Sequence, residues 1–142
     1  MMHFLLMSLL GIVLFIKAIK LLILGNQSGY WKAVKGEVTS TTEIRENGPA
    51  SRTQKMNHLN MQYKYAVNGV DHTNDRVRYK WNHHRLSQEI KKYPPGRELT
   101  VYVNTSNAEQ AVLEPGVDAT NYVALAAGTF FIIVGISLAL TQ

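Results

Sequence analysis

From Phe4 to Leu24 the chain reads FLLMSLLGIVLFIKAIKLLIL, and from Tyr122 to Leu140 it reads YVALAAGTFFIIVGISLAL. These two stretches decide the fold. A helix needs about 20 predominantly apolar residues to cross a hydrocarbon layer of about 30 Å, and both stretches reach that length. Each is apolar on all sides, whereas a soluble core helix usually keeps a polar face. The mean hydropathy of −0.10 conceals this, because everything between the two ends is polar or alternating. The sequence therefore predicts transmembrane helix 1 over residues 4–24, a small domain over 31–117 and transmembrane helix 2 over 122–140.

A cleaved signal peptide is disfavoured. The opening Met-Met-His carries no Lys or Arg, and the apolar run leads into Lys17-Ala-Ile-Lys20 rather than a small-residue cleavage site. Lys17 and Lys20 lie three apart on one helix face near the loop end. Their stems can stay apolar while the ammonium groups reach the interface. Tyr30, Trp31 and Tyr122 sit where aromatic residues favour the headgroup layer, although Trp31 also suits the domain core. In the second span Ala124, Gly128, Gly135 and Ala139 project within about 60° of one another at helical period. Small residues on one face admit another helix backbone, either the first span at Ser8 and Gly11 or a second copy of the same helix.

Two spans put both tails on one side and the domain on the other. Lys17, Lys20, Lys32 and Lys35 cluster at the domain end of the first span, which favours a cytoplasmic domain with both tails outside. The length of the loop and the acidic Glu109, Glu114 and Asp118 pull the other way. The chain has no cysteine, so disulfides and thiolate metal sites are excluded.

The middle reads as strands. Val34 to Arg45 alternates, with Val34, Gly36, Val38, Ser40, Thr42 and Ile44 on one face. Leu59, Met61, Tyr63, Tyr65 and Val67 alternate with polar residues. Asn68-Gly69 invites a two-residue hairpin turn. Such a turn would set Leu59 and Met61 opposite Arg78 and Arg76 on a long third strand, so a three-residue bulged loop is expected instead. It would put Val77, Tyr79 and Trp81 on the apolar face and turn His72 outward. Asn82 to Tyr93 has the spacing of a short helix, ended by Pro94-Pro95. Leu99 to Val103 and Gln110 to Leu113 complete about five strands. The fold class is a membrane α + β protein: two transmembrane helices flanking a mainly-β domain in the order βββαββ. OB-like small barrels share that order, and an open two-layer sheet is the alternative.

Chemistry-bearing patterns are sparse. His58, His72, His83 and His84 with Asp71 and Asp75 raise a metal site, but the two neighbouring histidines diverge and the rest read as solvated surface. Lys64, Arg76, Arg78 and Lys80 are a candidate basic surface. Its neighbouring aromatics face inward, where they cannot stack bases, so lipid headgroups are a nearer partner than nucleic acid. No serine sits in a nucleophile elbow and no glycine loop cradles phosphate. No catalytic residue, metal or cofactor is expected, nor is nucleic acid as a partner.

Several segments together resemble the bacterial membrane family named DUF3592. Trp31-x-x-Val34-x-Gly36-x-Val38 matches its opening, and Tyr63-x-Tyr65-x-Val67-Asn68-Gly69 its central hairpin. Tyr93-Pro94-x-Gly96, Val101-Tyr102-x-Asn104 and Ala111-Val112-Leu113-Glu114-Pro115-Gly116 match its close. The family commonly has proline where this chain has Thr105 and Ala108, so a more mobile turn is expected there. The resemblance implies two spans and a small β domain, and no activity. The expected role is a non-enzymatic membrane protein whose β domain contacts proteins or the membrane surface, as an adaptor, envelope-complex component or immunity-type protein. Tyr102 and the Asn104 to Asn107 turn are the part of the closing hairpin to test for a partner. The alternative is an accessory subunit of a transporter or channel complex, assembling through its helices into an oligomer.

Overall fold

The computed structural model describes residues 2–46, 56–81 and 92–140. In chain order these form α1 (Met2–Ser28), β1 (Lys32–Glu46), β2 (Met56–Val67), β3 (Val70–Asn74), β4 (Glu98–Val103), β5 (Ala111–Val112) and α2 (Thr120–Leu140). The five strands make one antiparallel sheet in the order β3-β2-β1-β4-β5, curled into a half-barrel. The helix expected over Asn82 to Tyr93 falls mainly on 82–91, outside the described residues.

The chain divides into two compact units. One holds residues 1–27, 79–81 and 116–142, and the other holds 28–78 and 82–115. The β unit closes over Val38, Met61, Tyr63, Tyr65, Val77, Val101, Val103, Ala111 and Leu113, with Val34, Val67, Tyr93, Leu99 and Ala108 packed around them. These are the apolar members of the alternating strands, which is why the sheet curls: only one of its faces wants to leave water. Gly36 marks the tightest point of the curl. It pairs with both Tyr65 and Leu99, and a Cβ there would lie 2.5 Å from Val101 Cγ2 and 2.8 Å from the Lys64 carbonyl.

Two sequence expectations are corrected. Val67 pairs directly with Val70, so the hairpin is the two-residue turn and not the bulged one. Asn68 at φ 52° and Gly69 at φ 79° supply the two positive angles of a type I′ turn, whose twist matches the strands. The expected clash with Arg76 and Arg78 does not arise, because β3 stops at Asn74. There the Asn74 side-chain oxygen accepts from the backbone N–H groups of Asp75 (2.9 Å) and Arg76 (3.0 Å) and turns the chain away. Val77 still reaches the core by this route. His72, paired with Tyr65, lies on the Tyr65 face rather than outward, its ring stacked at 5.6 Å.

The second correction concerns β1. Its register with β2 shifts between Val38 and Ser40, so a bulge at Thr39 swaps the faces. Beyond it Thr41, not Ser40, lies beside Met61, and the Thr41 hydroxyl donates to the Tyr93 carbonyl at 3.0 Å. The bulge coincides with the place where β4 gives way to a turn. Val38 donates to the Arg97 carbonyl (3.0 Å) and accepts from Gly96 N–H (2.8 Å).

In the helical unit α1 and α2 run antiparallel. Gly11 backs onto Gly128 and Ile132, while Gly25 backs onto Gly116 and Val117.

Candidate functional site

The polar groups of the β unit converge on its open seam. Tyr63 is fully buried, and its hydroxyl donates to the Arg76 carbonyl at 2.7 Å with the Ala111 carbonyl at 3.3 Å. Tyr65 donates to the Ala108 carbonyl at 2.6 Å. The Val77 carbonyl accepts from the backbone N–H groups of Leu113 (2.9 Å) and Glu114 (2.8 Å). The strand-like exits of β3 and β5 are thereby laced together, although β3 and β5 are not paired as strands among the described residues.

Glu114 is the centre of this lacing. Its carboxylate accepts from Arg78 and, at 2.8 Å, from the Tyr93 hydroxyl, with the Lys92 ammonium 3.9 Å away. Partial burial pushes the carboxyl up. The Tyr93 hydroxyl, the Arg78 guanidinium and the Lys92 charge outweigh that and hold it below its usual range. Burial also raises the Tyr65 phenol, against a hydrogen bond with Asn74 and with help from the Glu109 charge.

The Asn104 to Gln110 turn closes on itself. Asn104 Oδ1 accepts from Ser106 N–H (3.0 Å), Asn107 Oδ1 accepts from Glu109 N–H (3.2 Å), and Asn104 Nδ2 donates to Gln110 Oε1 (2.7 Å). Side-chain amides here do the stiffening that proline would do.

The candidate basic surface is not one stripe. Lys64 lies on β2, 3.5 Å from Glu37. Arg76, Arg78 and Lys80 follow the end of β3 instead of lining its face, and Arg78 is ion-paired with Glu114. Lys80 belongs to the helical unit and the other three to the β unit. The outer sheet face carries a shallow depression of about 350 Å³, where Lys35 and Lys64 mix with Glu37, Asp71 and Glu98. Two lysines against three carboxylates leave a formal charge of −1, with no cluster of one sign to select an anion. Of the metal candidates, His83 and His84 lie outside the described residues. Among the described residues no three His, Asp or Glu side chains converge.

In the helical unit, a Cβ at Gly128 would sit 2.9 Å from the Phe15 backbone nitrogen and 3.2 Å from the Gly11 carbonyl. Ala124 and Gly135 are buried beside it, and Ala139 follows in the same helix. Lys17 reaches over the Trp81 ring, 4.8 Å from its centroid, and both Lys17 and Lys20 are exposed. Tyr30 and Tyr122 are exposed and Trp31 is half-buried. Asn121 is fully buried, its amide donating to the Tyr79 carbonyl at 2.8 Å. Sequence reasoning missed the Glu114–Tyr93 pair and, separately, the buried Asn121. The one available signal was Glu114 itself, a carboxylate ending the apolar run Ala111-Val112-Leu113.

The helices over Leu6–Ser28 and Thr120–Leu138 are long and apolar enough to cross a membrane. Curated proteins give no match to this chain. A family model described as Domain of unknown function (DUF3592) matches residues 34–118, from the third residue of β1 to the approach of α2, and the chain belongs to that family.

Proposed function

We propose that this is a non-enzymatic membrane protein whose β unit is an interaction module held at the bacterial inner membrane. The observation that carries the reading is how the reactive-type side chains are spent. The hydroxyls of Tyr63 and Tyr65 and the carboxylate of Glu114 each hold the half-barrel shut. Groups committed to structural hydrogen bonds are poor nucleophiles or bases, because chemistry would cost the fold its lacing. An adaptor, an envelope-complex component and an immunity-type protein are the roles that fit. The lysines at the domain end of the first helix support a cytoplasmic β unit.

The accessory-subunit alternative draws on the small-residue face of α2, and α1 already occupies that face at Gly128. The test is chemical cross-linking of the full chain in native membranes with mass spectrometry. Reproducible links from β-unit lysines to a second protein are expected, and recovery of self-links alone overturns the partner reading. An active periplasmic phosphatase fused after Gln142 is expected if the β unit is cytoplasmic, and an inactive one refutes that side.

A further inference from the structure

Lys17 is the middle residue of the apolar stretch Leu6–Ser28. If that whole stretch crossed the bilayer, its ammonium would lie at the centre, where charge is costly, with no acidic residue in α2 to pair with. The structure offers it a different neighbour. Trp81 comes from Tyr79–Trp81, a segment that is neither helix nor strand and that packs in the same unit as the helices. Irregular backbone is not tolerated facing hydrocarbon, so the level of Trp81 is a level at which water or headgroups are present.

Exposure changes at the same residue. Between Leu6 and Ile16 seven large apolar side chains are exposed, and beyond Lys17 only Ile19 and Ile23 are. There more of the helix is covered: Ala18, Leu21 and Gly25 are buried, and Gly25 backs onto the Gly116 carbonyl. On α2 the approaches of Gly128 to Phe15 and of Gly116 to Gly25 set Leu125 level with Lys17, and the buried amide of Asn121, bonded to the Tyr79 carbonyl, lies about one turn beyond it on the side away from Gly128.

We propose that the hydrocarbon boundary crosses α1 at Lys17 and α2 near Leu125, and that Lys17, Lys20 and Trp81 form an anchor for phospholipid headgroups. The Trp ring lies in the interface and each ammonium faces headgroup phosphate. Residues Ala18–Ser28 then stand outside the hydrocarbon as a stalk of about 16 Å at 1.5 Å per residue. From Met2 to Lys17 α1 spans about 24 Å, and lysine snorkelling with slight local thinning makes up the difference from a 30 Å core. The first span's interfacial aromatic is thus Trp81, 64 positions along the chain from Lys17.

The inference rests on the two helices lying in a bilayer and not on the β unit having a partner, so failed cross-linking would leave it standing. The chain has no cysteine, which makes thiol mapping clean. Full-length Ile12→Cys, Ile23→Cys and Gln27→Cys variants are placed in phosphatidylethanolamine–phosphatidylglycerol vesicles made leaky to a polar maleimide. Ile23→Cys is expected to label within about threefold of Gln27→Cys, and Ile12→Cys at least about tenfold more slowly, since the reactive thiolate needs water. An Ile23→Cys as protected as Ile12→Cys puts hydrocarbon up to the end of α1 and overturns the boundary. Labelling of all three overturns the membrane embedding itself. Trp31→Phe leaves Trp81 as the single tryptophan. Its fluorescence is expected to be quenched most by lipids brominated near the headgroup. Strongest quenching from chain-end bromines, or quenching by aqueous iodide alone, overturns the anchor.

Discussion

The β unit and the helical unit hide backbone from an unfavourable surrounding by opposite means. Within the helices the interior peptide groups bond inside their own segment, so adhesion between α1 and α2 comes from closeness at Gly11 and Gly128. In the β unit the sheet is open, and beside two backbone bonds to the Val77 carbonyl its seam is closed by side chains: Tyr63 and Tyr65 hydroxyls on carbonyls, and Glu114 on Arg78 and Tyr93. One unit depends on the absence of side chains and the other on their polar ends. Substitutions that fill space and substitutions that remove hydroxyls or charges therefore divide cleanly between them.

The largest effect is expected at Tyr63, which combines a fully buried ring with a seam hydrogen bond. Tyr63→Ala is expected to cost about 4 kcal/mol, the range for emptying a large aromatic site. Tyr63→Phe keeps the ring and leaves the Arg76 carbonyl short of a donor, for a cost of about 1.5 kcal/mol. Urea unfolding of the full chain in detergent, followed by the strand signal, measures both. Equal losses for the two variants would mean that the hydroxyl, not the ring, holds the unit, and would break the contrast as drawn.

Gly128→Leu probes the other unit. Its Cβ alone would meet the Phe15 nitrogen at 2.9 Å, so the helices must part, at a cost of about 2 kcal/mol. The dodecyl sulfate fraction at which the helices separate is expected to fall while the urea midpoint of the β unit stays put. A shift in both would show that the two units are energetically coupled.

Much of this division was legible in the sequence, and the misreadings have physical causes. Two long apolar runs and the alternation of Met61, Tyr63 and Tyr65 needed no tertiary information. Alternation alone misplaces the hairpin because it treats Asn74 as one more residue of a strand. Its amide oxygen, bonded to the next two N–H groups, ends the strand, and an alternation pattern does not register such an Asx turn. The bulge at Thr39 swaps faces in a run whose polar and small residues gave no sign of which side they preferred. The contacts of Lys17 with Trp81 and of Glu114 with Tyr93 join residues far apart in the chain, so only the folded topology brings them together.

Within the β unit, Glu114 gives a charge-dependent test. Its folded acidity is strengthened, so its contribution is fully present above the usual value of 4.5 and is lost as pH falls through the lower folded value. Glu114→Gln is expected to cost about 1.5 kcal/mol at pH 7, discounted for a side chain still 22% exposed. It should also flatten the acid limb of stability below pH 4.5. Urea midpoints measured from pH 7 down to about pH 3 decide this. An acid limb unchanged by the substitution would place the responsible carboxylate elsewhere.

The smallest effect is expected where a similar charge pair lies on the open face. Lys64 and Glu37 approach to 3.5 Å, but their side chains are 57% and 45% exposed. Water screens such a pair, and ordering two long side chains offsets much of the attraction, so Lys64→Ala is expected to change stability by no more than about 0.5 kcal/mol. The same urea titration in low and high salt separates the cases. Added salt should remove what little Lys64 contributes and leave most of the Glu114 contribution, because the Tyr93 and Arg78 hydrogen bonds lie partly out of solvent. A Lys64→Ala loss as large as that of Glu114→Gln would mean that the mixed-charge outer face, and not the seam, is where this domain invests its electrostatics.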